Sequence, residues 1–190
     1  MKYYTIIGGL NGVGKSTIYS TLTSSEIRKL GKRINVDEIV SSLGDWKDIK
    51  IQYAAGMQAV RAIRDCLDSI CDFHQETTLS GHTILNTIMK AKGRGYSIHL
   101  WYIYVASVEL AKQRVLARVS NGGHGIPEHI IERRSVTSLA MLRKIVPLCD
   151  EVRVYDNTIA FNPVARIVNN QLKIFDKTIP MEILSCLSDM

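Results

Sequence analysis

Disulfide and zinc chemistry have little to work with in this sequence. Its four cysteines, Cys66, Cys71, Cys149 and Cys186, lie 5, 78 and 37 positions apart with no C-x-x-C pair. That excludes the usual zinc spacings and a disulfide-stapled scaffold, so they read as reduced thiols. Long apolar runs are missing as well: the longest, residues 100–106, falls far short of the roughly 20 residues of a membrane span. Only Lys2 precedes the first apolar run, which leads straight into glycines with no small-residue cleavage site. Nothing there marks a secretory leader, and a soluble, cytoplasmic protein with no membrane partner is expected. Aromatic residues make up 7% of positions and are not interleaved with a basic stripe. No RRM, KH, zinc-finger or basic-zipper pattern appears, so a nucleic-acid partner is not expected. The five histidines form no metal pattern: His124 and His129 are separated by a proline, and no carboxylate or cysteine completes a set. No repeat and no low-complexity tract is present, which excludes solenoids and arrays.

What remains is ordinary globular material. The 190 residues are 46% hydrophobic and 22% charged, enough for one domain, 1–190, with a real core. A net charge of +6 favours anionic partners without choosing among them.

Strand and helix signals alternate along the chain. Residues 3–7 read as a buried strand running into a glycine turn, with a helix expected from Ser16. Residues 33–36 read as a second short strand. Over 51–70, Ile51, Ala55, Ala59, Ile63, Leu67 and Ile70 recur every three or four positions, the stripe of a long amphipathic helix. Residues 72–78 suit a strand despite being half polar. A helix carrying Ile84, Leu85, Ile88 and Met89 should end at Gly93 and Gly95, ahead of a strand at 98–105 whose near-continuous apolarity implies cover on both faces. Ser107 can cap a helix bearing Val108, Ala111, Val115 and Val119. Gly122, Gly123 and Gly125 interrupt the pattern before Pro127 opens another helix, which Pro147 stops. A strand at 151–155, a small hairpin at 167–175 and a short helix after Pro180 complete the pattern. Alternation of this kind predicts an α/β fold: a mainly parallel sheet flanked by helices, a helix–loop–helix lid at about 114–134, and a C-terminal hairpin.

The run Gly9-Leu10-Asn11-Gly12-Val13-Gly14-Lys15-Ser16 matches the phosphate-loop pattern G-x-x-x-x-G-K-[ST]. A random chain of this length would match on the order of once in a hundred, and here the match also lies between a predicted strand and a predicted helix. The glycines permit torsions that turn successive N–H groups inward, toward phosphate oxygens at the positive end of the helix. Lys15 would add a charge to the β- and γ-phosphates, and the Ser16 hydroxyl would ligate Mg²⁺.

The acceptor side must come from other strand ends. Asp37, after the second strand, is a candidate base or orienting group for an acceptor hydroxyl; equally, it suits the cap of a helix beginning at Glu38. Glu76, at the end of the third strand, is placed to serve Mg²⁺ directly or through water, against the alternative of a solvated loop carboxylate. Arg114 and Arg118 share a helical face, and Arg133 and Arg134 follow the glycine loop. These guanidinium groups could close over a nucleotide, or be solvated surface charges.

Several blocks together resemble the zeta toxin family, in particular its compact predicted-ATPase branch. They are Gly8-Gly9-Leu10-Asn11-Gly12-Val13-Gly14-Lys15-Ser16-Thr17, Asn35-Val36-Asp37-Glu38-Ile39, and Glu76-Thr77-Thr78-Leu79-Ser80-Gly81. Arg118 with Gly122-Gly123-His124-Gly125-Ile126-Pro127 and Arg133-Arg134 follow, then Tyr155-Asp156-Asn157. The resemblance implies a phosphate-loop kinase fold and Mg²⁺- and ATP-dependent phosphoryl transfer. In the better understood members the acceptor is the 3′-hydroxyl of the sugar in UDP-N-acetylglucosamine. It further implies Lys15 on the ATP phosphates, Asp37 as base, Arg118 with Arg133 or Arg134 as lid arginines, Glu76 and Thr77 on the acceptor side, and Asn157 near the adenine. Toxicity and an antitoxin partner are implied by kinship alone. A second reading stays open: a nucleotide-dependent regulatory ATPase or switch that binds a macromolecular partner without small-molecule transfer.

Overall fold

A computed structural model of the protein describes residues 1–188. Seven strands form one sheet in the order β2-β3-β1-β4-β5-β6-β7. The first five in chain order are β1 (Lys2–Gly8), β2 (Lys32–Ile34), β3 (Phe73–Thr77), β4 (Tyr96–Tyr104) and β5 (Glu151–Asp156). All of these pair in parallel; β6 (Asn162–Val168) and β7 (Gln171–Ile174) add antiparallel at one edge.

Burial on both faces follows from side-chain alternation along the strands. Tyr4 and Ile6 of β1, with Ile98, Leu100, Tyr102 and Tyr104 of β4, face one apolar cluster. Ile7, Trp101 and Ile103 face the other. The first cluster is closed by α3 (Ile49–Ser69), α4 (Thr83–Gly93) and α7 (Met181–Ser188), the second by the phosphate loop and α5 (Val108–Ser120). The sheet is therefore the middle of three layers. Helix α6 (Glu128–Ile145) serves both faces, placing Ile131 in the second cluster and Met141, Leu142 and Ile145 in the first.

The expected helix after the phosphate loop takes another form. Lys15–Thr21 winds as a 3-10 helix, and only after a break does α1 (Ser24–Lys29) begin. The run is rich in hydroxyl and β-branched residues, and the Ser20 and Thr21 hydroxyls donate to the carbonyls of Thr17 and Ile18, three residues back. Such side-chain bonds compete with a regular α-helical ladder. Asn35 ends the second strand early: its side chain accepts from the amides of Asp37 and Glu38, so α2 (Val36–Leu43) starts two residues before Glu38. Asn35 is thus the cap, and the carboxylate of Asp37 stands in the first turn outside the capping bonds. Ser107 caps α5 as expected, accepting from the amide of Leu110.

At the root of the α5–α6 pair, Lys112 meets Glu109, Glu128 and Glu132, which ties the two helices together beyond the glycine loop. No helix among the described residues is long and apolar enough to cross a membrane.

Candidate active site

The C-terminal ends of the parallel strands open into a cleft of about 500 Å³. It is lined by Asn11, Gly12, Gly14, Lys15, Ser16 and Thr17 of the loop, by Asp37 and Glu76, and by Arg114, Arg118 and Asn157. Residues separated by more than a hundred positions meet here because the phosphate loop, the end of β3, the start of α2, helix α5 and the segment after β5 converge at the same edge of the sheet.

The phosphate loop owes its path to glycine. Gly9, Gly12 and Gly14 have φ of 146°, 84° and 86°, and a Cβ on Gly12 would run into the carbonyl oxygen of Ala111. The first-turn amides of Lys15 and Ser16 have no intrahelical acceptor and form the positive end of the helix. Asn157 braces the loop by donating from Nδ2 to the Val13 carbonyl, 2.8 Å away. The Val13 side chain itself is buried in the second apolar cluster.

Lys15 folds back over its own loop, donating to the carbonyls of Gly9 and Leu10 at 2.9 and 3.0 Å. Burial pushes its ammonium down to about 8; Asp37 and Glu76 oppose that shift, and Arg118 and Arg134 add to it. An incoming phosphate would meet a lysine already crowded by cations.

Glu76 is no solvated loop carboxylate. It sits in β3, 7% exposed. Its Oε2 accepts from the Ser16 hydroxyl at 2.8 Å. Its Oε1 accepts from Arg33 Nε and a terminal nitrogen, at 3.0 and 2.6 Å, and from the Tyr19 hydroxyl at 3.1 Å. Arg33 also pairs with Glu38 at 2.7 Å and lies over the Tyr19 ring. Burial works against the Arg33 charge, but Glu76, Tyr19 and Glu38 outweigh it and raise its pKa. Burial and Glu76 both raise the Tyr19 phenol.

The arginines divide by role. Arg114 donates to the carbonyls of Asn157 and Thr158 and holds the segment after β5 in place. Arg118 reaches the cleft with Nε and one terminal nitrogen buried and without a partner. A buried guanidinium with unspent donors is costly unless an anion takes them up, so it suits a phosphate. Arg134 donates to Asn11 Oδ1 at 3.0 Å, and burial lowers its pKa against the pull of Asp37. Arg133, the next residue, is exposed. Thr77 also stays out of the cleft lining: its hydroxyl accepts from the Leu79 amide and holds the turn after β3.

Two contributors escape the sequence reading. Arg33 has the pairing register as its signal: it sits beside His74 in the neighbouring strand, and so shares a face with Glu76 two positions on. His124 lies in the glycine loop with Nε2 3.7 Å from Asp37 Oδ1, its ring against Trp46 at 5.3 Å. Burial lowers its pKa; Asp37 opposes this, while Arg118 and Arg134 add to it.

The set fits a magnesium nucleotide. The Ser16 and Glu76 oxygens are hard donors of the kind Mg²⁺ takes, and the loop amides, Lys15 and the unpaired Arg118 donors suit the phosphates. Asp37 lines the same cleft.

Comparison with known proteins bears on the family and the fold. The model of the zeta toxin family matches residues 2–177. An uncharacterized protein of Haemophilus influenzae is 32% identical over 126 residues, covering 66% of this chain and 87% of its own. Among solved structures, the complex of AvrRxo1-ORF1 and AvrRxo1-ORF2 with ATP aligns with a TM-score of 0.73 at 18% identity, over 92% of this chain and 61% of that one. The same complex with sulphate ions gives 0.73 at 17% identity, over 93% and 62%. The PezAT chromosomal toxin–antitoxin system of Streptococcus pneumoniae gives 0.65 at 20% identity, over 83% and 68%. At such identities these structures speak for the fold. The chain spans about three fifths of the matched AvrRxo1 chain.

Proposed function

The chain belongs to the zeta toxin family, and from that premise we propose that it is an ATP-dependent phosphotransferase acting on a small nucleotide-sugar-like acceptor. The acceptor group is the 3′-hydroxyl of UDP-N-acetylglucosamine, as the family suggests. The loop residues from Gly9 to Thr17, Lys15 and Asn157 hold the nucleotide. Ser16, with Glu76 behind its hydroxyl, would hold Mg²⁺, which when bound would neutralise charge on the β- and γ-phosphates. Asp37 takes the proton of the acceptor hydroxyl at its carboxylate as the oxygen–phosphorus bond forms and the bond from the γ-phosphorus to the bridging oxygen breaks. Arg118 and Arg134 steady the charge on the moving group. As in other toxin–antitoxin pairs, an antitoxin protein is the macromolecular partner.

One observation carries the reading: the partnerless buried donors of Arg118 share a cleft with the phosphate loop and with an Asp37 carboxylate that caps no helix. Regulatory ATPase action alone would not need an acceptor-side base. The test is mass spectrometry of a metabolite panel containing UDP-N-acetylglucosamine after incubation with the protein and Mg-ATP, with Lys15→Ala as control. A new phosphorylated product made only by the unmutated protein is expected. An unchanged panel with ATP still bound would overturn the transfer reaction in favour of the switch.

A further inference from the structure

Glu76 is held asymmetrically. Its Oε1 takes two donors from Arg33 and one from Tyr19, whereas its Oε2 takes only the Ser16 hydroxyl. The carboxylate lies on a strand at 7% exposure, so its plane is fixed by these bonds rather than by solvent. A serine hydroxyl has one proton and two lone pairs. While Oε2 accepts the proton, both lone pairs of Ser16 Oγ face away from Glu76.

We propose that Arg33 is a positioning residue for the metal-bearing nucleotide: by occupying Oε1 it reserves Oε2 for the Ser16 proton and so presents the Ser16 lone pairs to a divalent cation. Glu76 then acts on the cation through Ser16 and not as a bare ligand charge, since its own charge is matched by Arg33 at 2.6 Å. This is how outer partners orient the inner ligands of metal sites generally. The same guanidinium also grips Glu38, next to Asp37 in the first turn of α2. One side chain thereby registers the metal end of the cleft against the acceptor end. The inference rests on the phosphotransferase reading and deepens it.

The test separates metal-dependent from metal-independent nucleotide binding. A fluorescent N-methylanthraniloyl-ADP is titrated into the protein with excess EDTA and again with Mg²⁺, and the ratio of the two affinities is the magnesium gain. Arg33→Gln is expected to leave binding in EDTA within about twofold and to cut the gain by about tenfold or more. Arg33→Lys should recover part of it through a single ammonium donor. Glu38→Gln, which removes the other carboxylate partner of Arg33, should leave it intact.

An unchanged gain in Arg33→Gln would overturn the inference. So would a larger one, because that would mean the freed Glu76 carboxylate ligates the metal itself. If Arg33→Gln does not fold, Arg33→Lys decides the matter: a reduced gain supports the inference and an unchanged one overturns it. Failure of the unmutated protein to bind nucleotide in either condition would sink the phosphotransferase reading and this inference with it, whereas binding with an unaltered gain sinks this inference alone.

Discussion

Nε2 of His124 lies 3.7 Å from Oδ1 of Asp37, joining the glycine-rich connection of α5 and α6 to the first turn of α2. Trp46 backs the contact: its ring meets His124, and it packs so closely on Gly125 that a Cβ there would fall 2.8 Å from the indole. The glycine-rich loop and the Asp37 carboxylate, the proposed lid and the proposed base, thus share one junction.

Replacing that carboxylate should separate chemistry from binding. Asp37→Asn is expected to lower the transfer rate by about 10²- to 10⁴-fold while nucleotide affinity, measured by calorimetry, stays unchanged. A rate within threefold of the unmutated protein would remove Asp37 as the base.

Nucleotide affinity should depend on pH through Lys15. Its ammonium titrates near pH 8 in the free protein, and a bound phosphate favours the charged form. Affinity should therefore be highest below pH 8 and fall as pH rises through that value and above. Calorimetric titrations between pH 6.5 and pH 9.5, a range chosen around that value, would show the decline. A flat profile would mean that Lys15 stays charged throughout.

The adjacent arginines of α6 should behave differently. Arg134 bonds Asn11 in the phosphate loop, whereas Arg133 is exposed. Arg134→Ala is expected to reduce kcat/KM for transfer by about tenfold or more, as loss of a charge-stabilising donor does. Arg133→Ala should change it less than twofold. Equal effects would contradict the division.

Two glycine substitutions should differ for a geometric reason. Gly12 and Gly122 both have positive φ, 84° and 79°, but a Cβ at Gly12 meets the Ala111 carbonyl while nothing lies within 4 Å of one at Gly122. Gly122→Ala should cost only the left-handed backbone strain, about 1–2 kcal/mol. Gly12→Ala should cost more than that and also abolish nucleotide binding, because the loop or α5 must move. Urea denaturation compares the two.

What the sequence discloses depends on how local the cause is. The phosphate loop and the Ser107 cap are set by neighbouring residues, and both appear where expected. The alternation of strand and helix likewise foretells the parallel sheet. The 3-10 helix after Lys15 was hidden because its cause is a chain of hydroxyl bonds among Thr17, Ile18, Ser20 and Thr21 in a run that scans as helical. The start of β6 was hidden by Pro163, which ordinarily argues against a strand. Here it sits beside the register shift between Val154 and Tyr155, where the ladder is already broken. In the site, Lys15, Ser16, Asp37, Glu76 and Arg118 were named from motif and position and line one cleft. Arg33 was not, because only the pairing of β2 with β3 brings it to Glu76, and Arg114 proved to be a brace for the chain after β5.

The antiparallel pair β6 and β7 also changes how copies of the molecule meet. Ended at β5, the sheet would present a six-residue parallel strand with open hydrogen-bonding groups to any passing chain. The pair moves that frontier to a four-residue strand bearing Lys173, and the opposite frontier is the three-residue β2 with Lys32 and Arg33. Short margins with positive charge are poor templates for strand addition. Neither margin therefore invites a second copy to extend the sheet sideways toward a fibre.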